Sequence, residues 1–466
     1  MGATETRWVA MQLRGWILAI GLLSSACGDD DGATAQDDGG TRDAGGSTDG
    51  RTGGGDAVVD RDASPDAGPP VTVPERGAWR SVSTEGAPSP RVAHTIVWTG
   101  TEHIVWGGQP TEADPLPGAG PFGDGARYDP AADRWQAVSS LGAPSPRAGH
   151  KAVWTGRYMA VFGREVDVFP TQPMEGWLYE PATDTWRPMS SVGAPAPRAY
   201  YDVVAVDGRV VVWGGWSMPG VGTEAFPAAT GGIYDPERDT WTALSEAGAP
   251  AYDGGHTLLA EPGGLVAYGV TAHFLAPDAG STLAARYASS SDTWTEIGRT
   301  TGLIGNGQAY NMSALLDGQL TSISMTPDSR QCLLLELEAD GTFTRTVLSE
   351  TSVPSAPACP YALRLGPLVV GGDLVAPEPR LMLDVASRAI FAFPAPPYDT
   401  IASEPVSPGF LVSSWDAYEA ATDGTSVFFF GGVIRASEPP PDCPEGAPCV
   451  PPGQEARGAL GVLLSP

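Results

Sequence analysis

Lysine is nearly absent from this chain of 466 residues, in which Lys151 is the only one. Asp and Glu number 55 against 27 Lys and Arg, so the formal net charge is −28. Recognition of nucleic-acid phosphates depends on clustered basic side chains, and this composition argues against a nucleic-acid partner. The excess of carboxylates also keeps the surface soluble and repels anionic polymers and membranes.

Common catalytic motifs are missing as well. No nucleophile elbow, HExxH helix or phosphate-binding glycine loop occurs in a fitting context. From Trp79 onward the chain also shows no sustained helical period. The sequence therefore predicts a domain that is almost wholly β and gives little support for catalysis.

What the chain does contain is a repeat of roughly fifty residues. A turn that leads to an aromatic residue occurs seven times, ending at Trp79, Trp135, Trp186, Trp241, Trp294, Phe343 and Phe391. An apolar run that closes on glycine also occurs seven times, near Gly108, Gly163, Gly215, Gly269, Gly318, Gly372 and Gly432. A repeat of four short strands cannot bury its own apolar faces, so the repeats must stack on one another.

The clearest turns read YDPAADRW, YEPATDTW, YDPERDTW and YASSSDTW. Together with the double glycine after several second strands, they resemble the kelch-repeat family of β-propellers, including propellers of the galactose oxidase type. The resemblance runs from Trp79 to the C-terminus, about five-sixths of the chain. It implies an all-β fold in residues 76–466, namely a seven-bladed kelch-type β-propeller of four-stranded antiparallel blades. The fifth blade, which lacks the double glycine, matches the pattern least well.

The repeat is incomplete at both ends of this domain. Trp79 lacks the three strands that should precede it, and the last repeat runs out before its fourth strand. The segment around Trp79 is therefore predicted to form the outer strand of the last blade, where it would satisfy otherwise open strand edges.

The N-terminus has the pattern of an export signal. Arg14 precedes an apolar run at residues 16–26, which is too short to cross a bilayer and fits the h-region of a signal peptide. The residues from Leu23 to Cys27 resemble a bacterial lipobox, which implies that residues 1–26 are a lipoprotein signal peptide and that Cys27 carries lipid. An ordinary secretory signal with a chance cysteine is the alternative.

Two other readings of the N-terminus stay open. Gly2 with Thr6 fits the short myristoylation template, and translation starting at Met11 would give a more compact signal peptide. Residues 27–75 are predicted to be a disordered Gly- and Asp-rich tether, because the stretch from Gly28 to Glu75 has a net charge of −9 and hardly any residue that can be buried. An acidic calcium-binding run is disfavoured because the EF-hand glycine and glutamate positions are missing.

Apart from Cys27, the chain has four cysteines, and an even number fits two disulfides in an oxidising compartment. Cys443 and Cys449 flank a short loop in the last repeat and are predicted to pair. Cys332 should lie on the third strand of the fifth blade and Cys359 at the start of the sixth, and these two would pair by elimination. A zinc site is the alternative, but the spacing in CPEGAPC does not fit one.

Two sets of loops are predicted to emerge on one face of the domain. The segments after the second strands are long and rich in proline, as recognition loops often are, and the one from Trp216 carries an aromatic residue. The segments before the first strands repeat an APSPR-like motif. A histidine or tyrosine follows three residues after the last residue of this motif. The candidate binding residues there are Arg91, Arg147, Arg198, His94, His150, Tyr201 and His256. The alternative is a structural role, in which each arginine pairs with a neighbouring blade.

These patterns predict an exported, lipid-anchored kelch propeller of the bacterial envelope, at the outer membrane or cell surface. It would be a monomer without cofactor or metal, bind an unknown protein or glycan, and touch the membrane only through its lipid. A propeller enzyme acting on sugars is the first alternative, although the chain departs from the copper radical oxidase pattern and lacks the aspartate-box glycine of sialidases. A passive structural protein of the envelope is the second.

Overall fold

The computed structural model describes most of the chain from residue 77 onward. The described ranges are 77–110, 120–163, 174–217, 226–252, 255–271, 281–301, 312–325, 331–350, 368–370, 373–376, 381–384, 389–392, 411–423, 425–438, 455–458 and 462–465. The chain divides into the units Met1–Pro70 and Val71–Pro466, and all described residues belong to the second. The predicted signal peptide, tether and lipid attachment at Cys27 lie outside them.

Every regular element in the described ranges is a β-strand. In chain order the strands are β1 (Ala78–Ser81), β2 (Thr95–Trp98), β3 (His103–Trp106), β4 (Gly125–Asp129), β5 (Arg134–Ala137), β6 (Lys151–Trp154), β7 (Met159–Phe162), β8 (Gly176–Glu180), β9 (Thr185–Pro188), β10 (Arg198–Ala199), β11 (Asp202–Val206), β12 (Arg209–Trp213), β13 (Trp216–Ser217), β14 (Phe226–Pro227), β15 (Gly231–Asp235), β16 (Thr240–Leu244), β17 (His256–Glu261), β18 (Gly264–Thr271), β19 (Ser281–Ala288), β20 (Thr293–Thr301), β21 (Met312–Leu316), β22 (Gln319–Met325), β23 (Gln331–Leu337), β24 (Phe343–Glu350), β25 (Leu368–Val370), β26 (Asp373–Ala376), β27 (Leu381–Asp384), β28 (Ala389–Ala392), β29 (Leu411–Thr422), β30 (Val427–Glu438), β31 (Glu455–Gly458) and β32 (Val462–Ser465). In this part of the chain there is no helix long and apolar enough to span a membrane.

Six antiparallel sheets have four strands each, in the order of the chain. They are sheet 1 (β2–β5), sheet 2 (β6–β9), sheet 3 (β11, β12, β15 and β16), sheet 4 (β17–β20), sheet 5 (β21–β24) and sheet 6 (β25–β28). Sheet 7 has the order β1-β32-β30-β29, and β31 also pairs with β30. An all-β fold of four-stranded antiparallel sheets is therefore confirmed, including a complete sheet in the fifth repeat.

The strand around Trp79 joins the two ends of the folded region. β1 pairs antiparallel with β32, so that Trp79 stands opposite Leu464. The Trp79 ring also lies 5.3 Å from the ring of Phe429 on β30. The prediction that this segment provides a strand of the last sheet is confirmed.

The first strands of the sheets lie next to one another. β2 contacts β6, β6 contacts β11, and the contacts continue through β17, β21 and β25 to β29. β29 in turn contacts β2. Neighbouring sheets therefore meet along their first strands, including the last sheet and the first.

The second strands form the core between these sheets. Both β3 and β7 are buried at every position, whereas on β5 only Trp135 is buried. A strand covered on both faces needs a continuous apolar run, which explains why HIVW and MAVF show no alternation of polar and apolar residues. In sheets 1 to 5 the aromatic residue of the outer strand packs on the preceding sheet, as Trp294 does on Trp213, with ring centres 5.0 Å apart.

The cysteines can be placed only in part. Cys332 lies on β23, the third strand of sheet 5, as predicted. Cys359, Cys443 and Cys449 lie outside the described residues, so both predicted disulfides stay predictions.

Candidate functional site

All candidate binding residues except Trp216 lie on or directly after four connector loops, which run from the outer strand of one sheet to the first strand of the next. The connector loops are residues 83–94, 139–150, 190–201 and 245–255, of which the structure describes 245–252 and 255 in the last, and His256 begins β17. The first two connector loops are hydrogen-bonded to each other, since the Gly149 N–H donates to the Ala93 carbonyl at 2.7 Å. They also contact the segment that follows a second strand, because the Gly108 N–H donates to the Arg147 carbonyl at 2.8 Å. The two predicted sets of loops therefore do meet.

The three predicted binding arginines are buried and make the same contacts in each repeat. Each donates from Nε to the carbonyl two residues before it, at 2.9 to 3.0 Å. Each also donates from Nη1 to the first glycine carbonyl after the second strand of its own sheet. These bonds are Arg91 to Gly107 at 2.9 Å, Arg147 to Gly163 at 3.1 Å and Arg198 to Gly214 at 3.1 Å.

Aromatic rings and burial complete the surroundings of these arginines. The Arg91 guanidinium lies 4.5 Å from the centre of the Phe122 ring, and that of Arg147 lies 4.3 Å from Trp177. Burial lowers the pKa of Arg198 to about 10, which leaves it charged at neutral pH. The arginines therefore fasten each connector loop to its own sheet, which is the structural role that the sequence left open. Their contact with a ligand stays a prediction.

The ring three places after each arginine packs against the preceding sheet. A Cβ on Gly107 would lie 2.5 Å from His150 Cε1, and one on Gly163 would lie 2.5 Å from the Tyr201 hydroxyl. A Cβ on Gly214 would meet His256 Nε2 in the same way. The chain thus needs glycine after these second strands because a ring from the next sheet occupies the space of a side chain.

The last sheet meets the first in the same manner, since a Cβ on Gly431 would lie 2.6 Å from His94 Cε1. The His94 ring also stands edge-on to Phe430 at 5.8 Å. Within the described residues neither ring nitrogen of His94 has a hydrogen-bond partner. Burial lowers the pKa of His94 well below its usual value and that of His150 to about 3, so both are neutral.

These histidines are not arranged as a metal site. In the part of the chain that the structure describes, no group of three or more His, Cys, Asp or Glu side chains could hold a metal ion. His94, His150 and His256 stand at three different sheet junctions. A salt-bridge distance of 3.6 Å instead joins His256 Nε2 to Asp202.

The repeated Tyr, Asp and Trp of the signature turns form a second set of contacts that the sequence did not reveal. In sheet 1, Asp133 accepts hydrogen bonds from the Tyr128 hydroxyl at 2.7 Å and from the Ser83 N–H at 2.9 Å. Trp135 Nε1 donates to the Ser83 carbonyl at 2.7 Å. Sheets 2 and 3 repeat all three bonds. The turn therefore fastens the preceding connector loop, and we call this arrangement the turn latch.

The turn latch also explains why the residue is aspartate. Asp133, Asp184, Asp239 and Asp292 all have φ between 47° and 54°. Asp and Asn tolerate this left-handed region better than most residues and offer a short side-chain acceptor. The most recognisable motif of the chain thus serves folding.

Residues available for contact with a partner lie elsewhere on the connector loops. Leu141 is 85% exposed, Val192 is 82% exposed and Tyr200 is 55% exposed. Trp216, a predicted binding residue, is partly exposed on β13, where it pairs with Ala199 and Pro227. Tyr200 was missed because the sequence aligns its neighbour Tyr201 with the histidines. Most residues of the long segments after the second strands lie outside the described residues.

Comparison with known proteins supports the repeat assignment. Residues 71–215 match the model of the KLHDC2/KLHL20/DRC7 Kelch-repeats domain. This part of the chain is therefore similar to kelch repeats. It is 26% identical to Adagio-like protein 3 of Oryza sativa subsp. japonica over 205 residues, which are 40% of this chain and 29% of that protein. It is also 26% identical to an F-box/kelch-repeat protein of Arabidopsis thaliana over 119 residues, 26% of this chain and 27% of that protein.

A third match is 27% identical over 151 residues to the flagellar outer-arm dynein alpha chain of Chlamydomonas reinhardtii. It covers 30% of this chain and 3% of that protein. This chain thus spans less than a third of the length of each relative.

Proposed function

We propose that the seven sheets are the blades of a closed kelch propeller that binds another protein through its connector-loop face. The contact of β29 with β2 supports closure, as do the pairing of β1 with β32 and the packing of His94 on Gly431. Closure removes the open strand edges that an arc of sheets would leave.

One observation favours the connector-loop face as the binding surface. Three of the most exposed large apolar residues, Leu141, Val192 and Tyr200, lie on two consecutive connector loops. The polar residues of the same loops are mostly used internally, since the arginines and the turn latches bind backbone groups. Exposed apolar groups on a rigid scaffold are typical of protein interaction sites.

Site-specific crosslinking in the producing cells tests this. A photoreactive phenylalanine at Gln109, which follows β3 and is partly exposed, or at Trp216 should give adducts with the same protein. The matched controls are Arg134 and Arg209, which are exposed and lie at the hairpin turns between strands. Adducts at the control positions alone, or at none of the four, would contradict the proposal, and the second result is what a passive structural protein predicts.

The proposed location is the bacterial cell envelope, with the chain exported and anchored by lipid on Cys27. Support comes from the apolar run at residues 16–26 and the lipobox-like sequence that follows. The variant Cys27→Ser should lose incorporation of labelled fatty acid and leave the membrane fraction. Export also favours the two proposed disulfides, which peptide mapping without reduction would detect as Cys443–Cys449 and Cys332–Cys359.

A further inference from the structure

The backbone of Tyr200 is held in an unusual conformation. Its φ is 55°, in the left-handed region, and the residues at the same place in the first two connector loops, Ala93 and Gly149, have φ of 53° and 62°. The loop therefore requires this conformation at the residue before the packed ring. Glycine adopts it freely, whereas a residue with a large side chain is destabilised by about 1 kcal/mol or more.

Folding gains little from the Tyr200 ring in return. The side chain is 55% exposed, while its neighbour Tyr201 is buried and packs on Gly163. A glycine at position 200 would adopt this φ without the conformational cost that tyrosine carries, and the folded state would be more stable. Residues held in sparsely populated backbone regions cluster at functional sites, so an exposed tyrosine here indicates a role outside folding.

The loop that carries Tyr200 makes more backbone pairs with the segment after the second strand than the first connector loop does. β10, β13 and β14 form an additional three-stranded sheet beside sheet 3, with Ala199 opposite Trp216. In sheet 1 the corresponding contact is a single bridge between Val92 and Gln109. The Arg198 guanidinium donates to the Thr230 carbonyl at 2.7 Å, as that of Arg91 does to the Asp124 carbonyl at 3.3 Å in the first loop. A preorganised ring loses little conformational entropy when a partner binds.

The net charge of the chain indicates what kind of chemical group would bind to the Tyr200 ring. The chain carries a net charge of −28, which attracts cationic partners and repels anionic ones. The nearby cations are already in contact with other groups: Arg198 is bonded to carbonyls, and Lys151 lies 3.9 Å from Asp202 and 5.9 Å from the Tyr201 ring centre. His256 is next to Asp202 as well. The face of an exposed tyrosine attracts Lys and Arg side chains.

We propose that Tyr200 is an anchor residue of the protein-binding face and stacks on an arginine or lysine of a basic polypeptide segment. This inference rests on the proposed protein-binding function and adds the partner's chemistry and one deciding residue. A cation on an exposed aromatic ring is bound several times more tightly than on an aliphatic surface.

The test uses the full chain and three labelled peptides of one Gly/Ser framework, carrying four Arg, four Gln or four Glu at the same positions. Fluorescence anisotropy at physiological salt should show binding of the Arg peptide and neither of the others. Tyr200→Gly should weaken that binding at least about fivefold, whereas Tyr200→Phe keeps it. Val347→Gly is the control, because Val347 is an apolar residue that is 51% exposed on β24 of sheet 5, outside the connector loops. It should leave the affinity unchanged.

The melting temperature gives a second, independent readout. Tyr200→Gly should melt at the same temperature as the wild type or higher, since it relieves the backbone without removing a buried side chain. A clear drop in melting temperature, equal peptide affinity of the two proteins, or equal binding of the Glu peptide would overturn the inference. If adducts still form at Gln109 while Tyr200→Gly changes nothing, only this inference fails and the proposed function stands.

Discussion

The signature turns of sheets 1 to 4 differ from the turn of sheet 5, although all five sheets have the same strand order. In the first group an aspartate at positive φ accepts a hydrogen bond from a tyrosine, as Asp292 does from Tyr287 at 2.8 Å. In sheet 5 the left-handed residue is Gly341, and Asp340 accepts from Thr342 within its own turn. A four-stranded sheet of this repeat therefore forms with or without the turn latch.

Apolar packing takes over in sheet 5. The Phe343 ring lies 5.8 Å from Tyr268 of the preceding sheet, and Leu337 joins it in the same apolar cluster. A Cβ on Gly298 would lie closer to the Leu337 side chain than van der Waals contact allows. The two sheets therefore approach closely there. All these repeats bury apolar side chains between neighbouring sheets. The signature turn is held in place by the turn latch in sheets 1 to 4 and by apolar packing in sheet 5.

The largest change in stability is expected at the glycines after the second strands, where a ring of the next sheet occupies the space of a side chain. Sheet 5 has Ser324 at this position. Gly214→Ala should lower the free energy of unfolding by roughly 2–4 kcal/mol, because φ is 73° and the new Cβ would meet His256. Gly208→Ala is the matched control, with φ of 76° and its nearest neighbour 3.9 Å away. It should lose about 1 kcal/mol in urea denaturation. Equal losses would show that the ring contact is unimportant.

The second comparison uses pH, because the described part of sheet 5 contains no histidine whereas sheet 1 buries His103. The His103 ring stacks on Phe428 of sheet 7 at 4.6 Å, and burial lowers its pKa to about 4. An unfolded histidine has a pKa of about 6.5, so stability is complete above that pH and declines as pH falls towards 4.

His103→Phe should remove part of this decline, on the order of 3 kcal/mol between neutral pH and pH 4. Urea denaturation at half-unit pH steps measures the difference between the two proteins. Parallel stability profiles for wild type and variant would contradict the assignment of this acid sensitivity to His103. Any remaining decline is expected from His94 and His150, whose pKa values are also lowered by burial.

The smallest effect should come from the turn latch itself. In the variant Asp184→Gly, glycine can still adopt the φ of 52° that this position requires. The hydrogen bonds that Asp184 accepts from the Tyr179 hydroxyl and the Ser139 N–H are lost. We expect a loss of about 1–3 kcal/mol in thermal or urea unfolding. Asp340→Gly in sheet 5 should change stability less, since Asp340 bonds only within its turn in the contacts described. The reverse order would mean that the latch does not link neighbouring sheets.

Much of the architecture could be predicted from short-range patterns. The apolar runs and hairpin glycines predicted the strands, and the unmatched Trp79 predicted the strand that pairs with β32. The binding residues were harder to predict because a repeated arginine looks the same whether it faces solvent or a carbonyl. Arg91 and Arg198 turned out to be buried against backbone, while Tyr200 has no repeated counterpart that could draw attention to it.

The sequence by itself determined that this chain is built of stacked β repeats, because hydrophobic runs, turn glycines and a recurring aromatic act within one repeat. Only the tertiary structure decided what the polar residues of that repeat do. Their partners lie about fifty residues away, on the connector loop that comes from the neighbouring sheet, as Trp135 and Ser83 show. Such contacts exist only once the sheets have packed against each other.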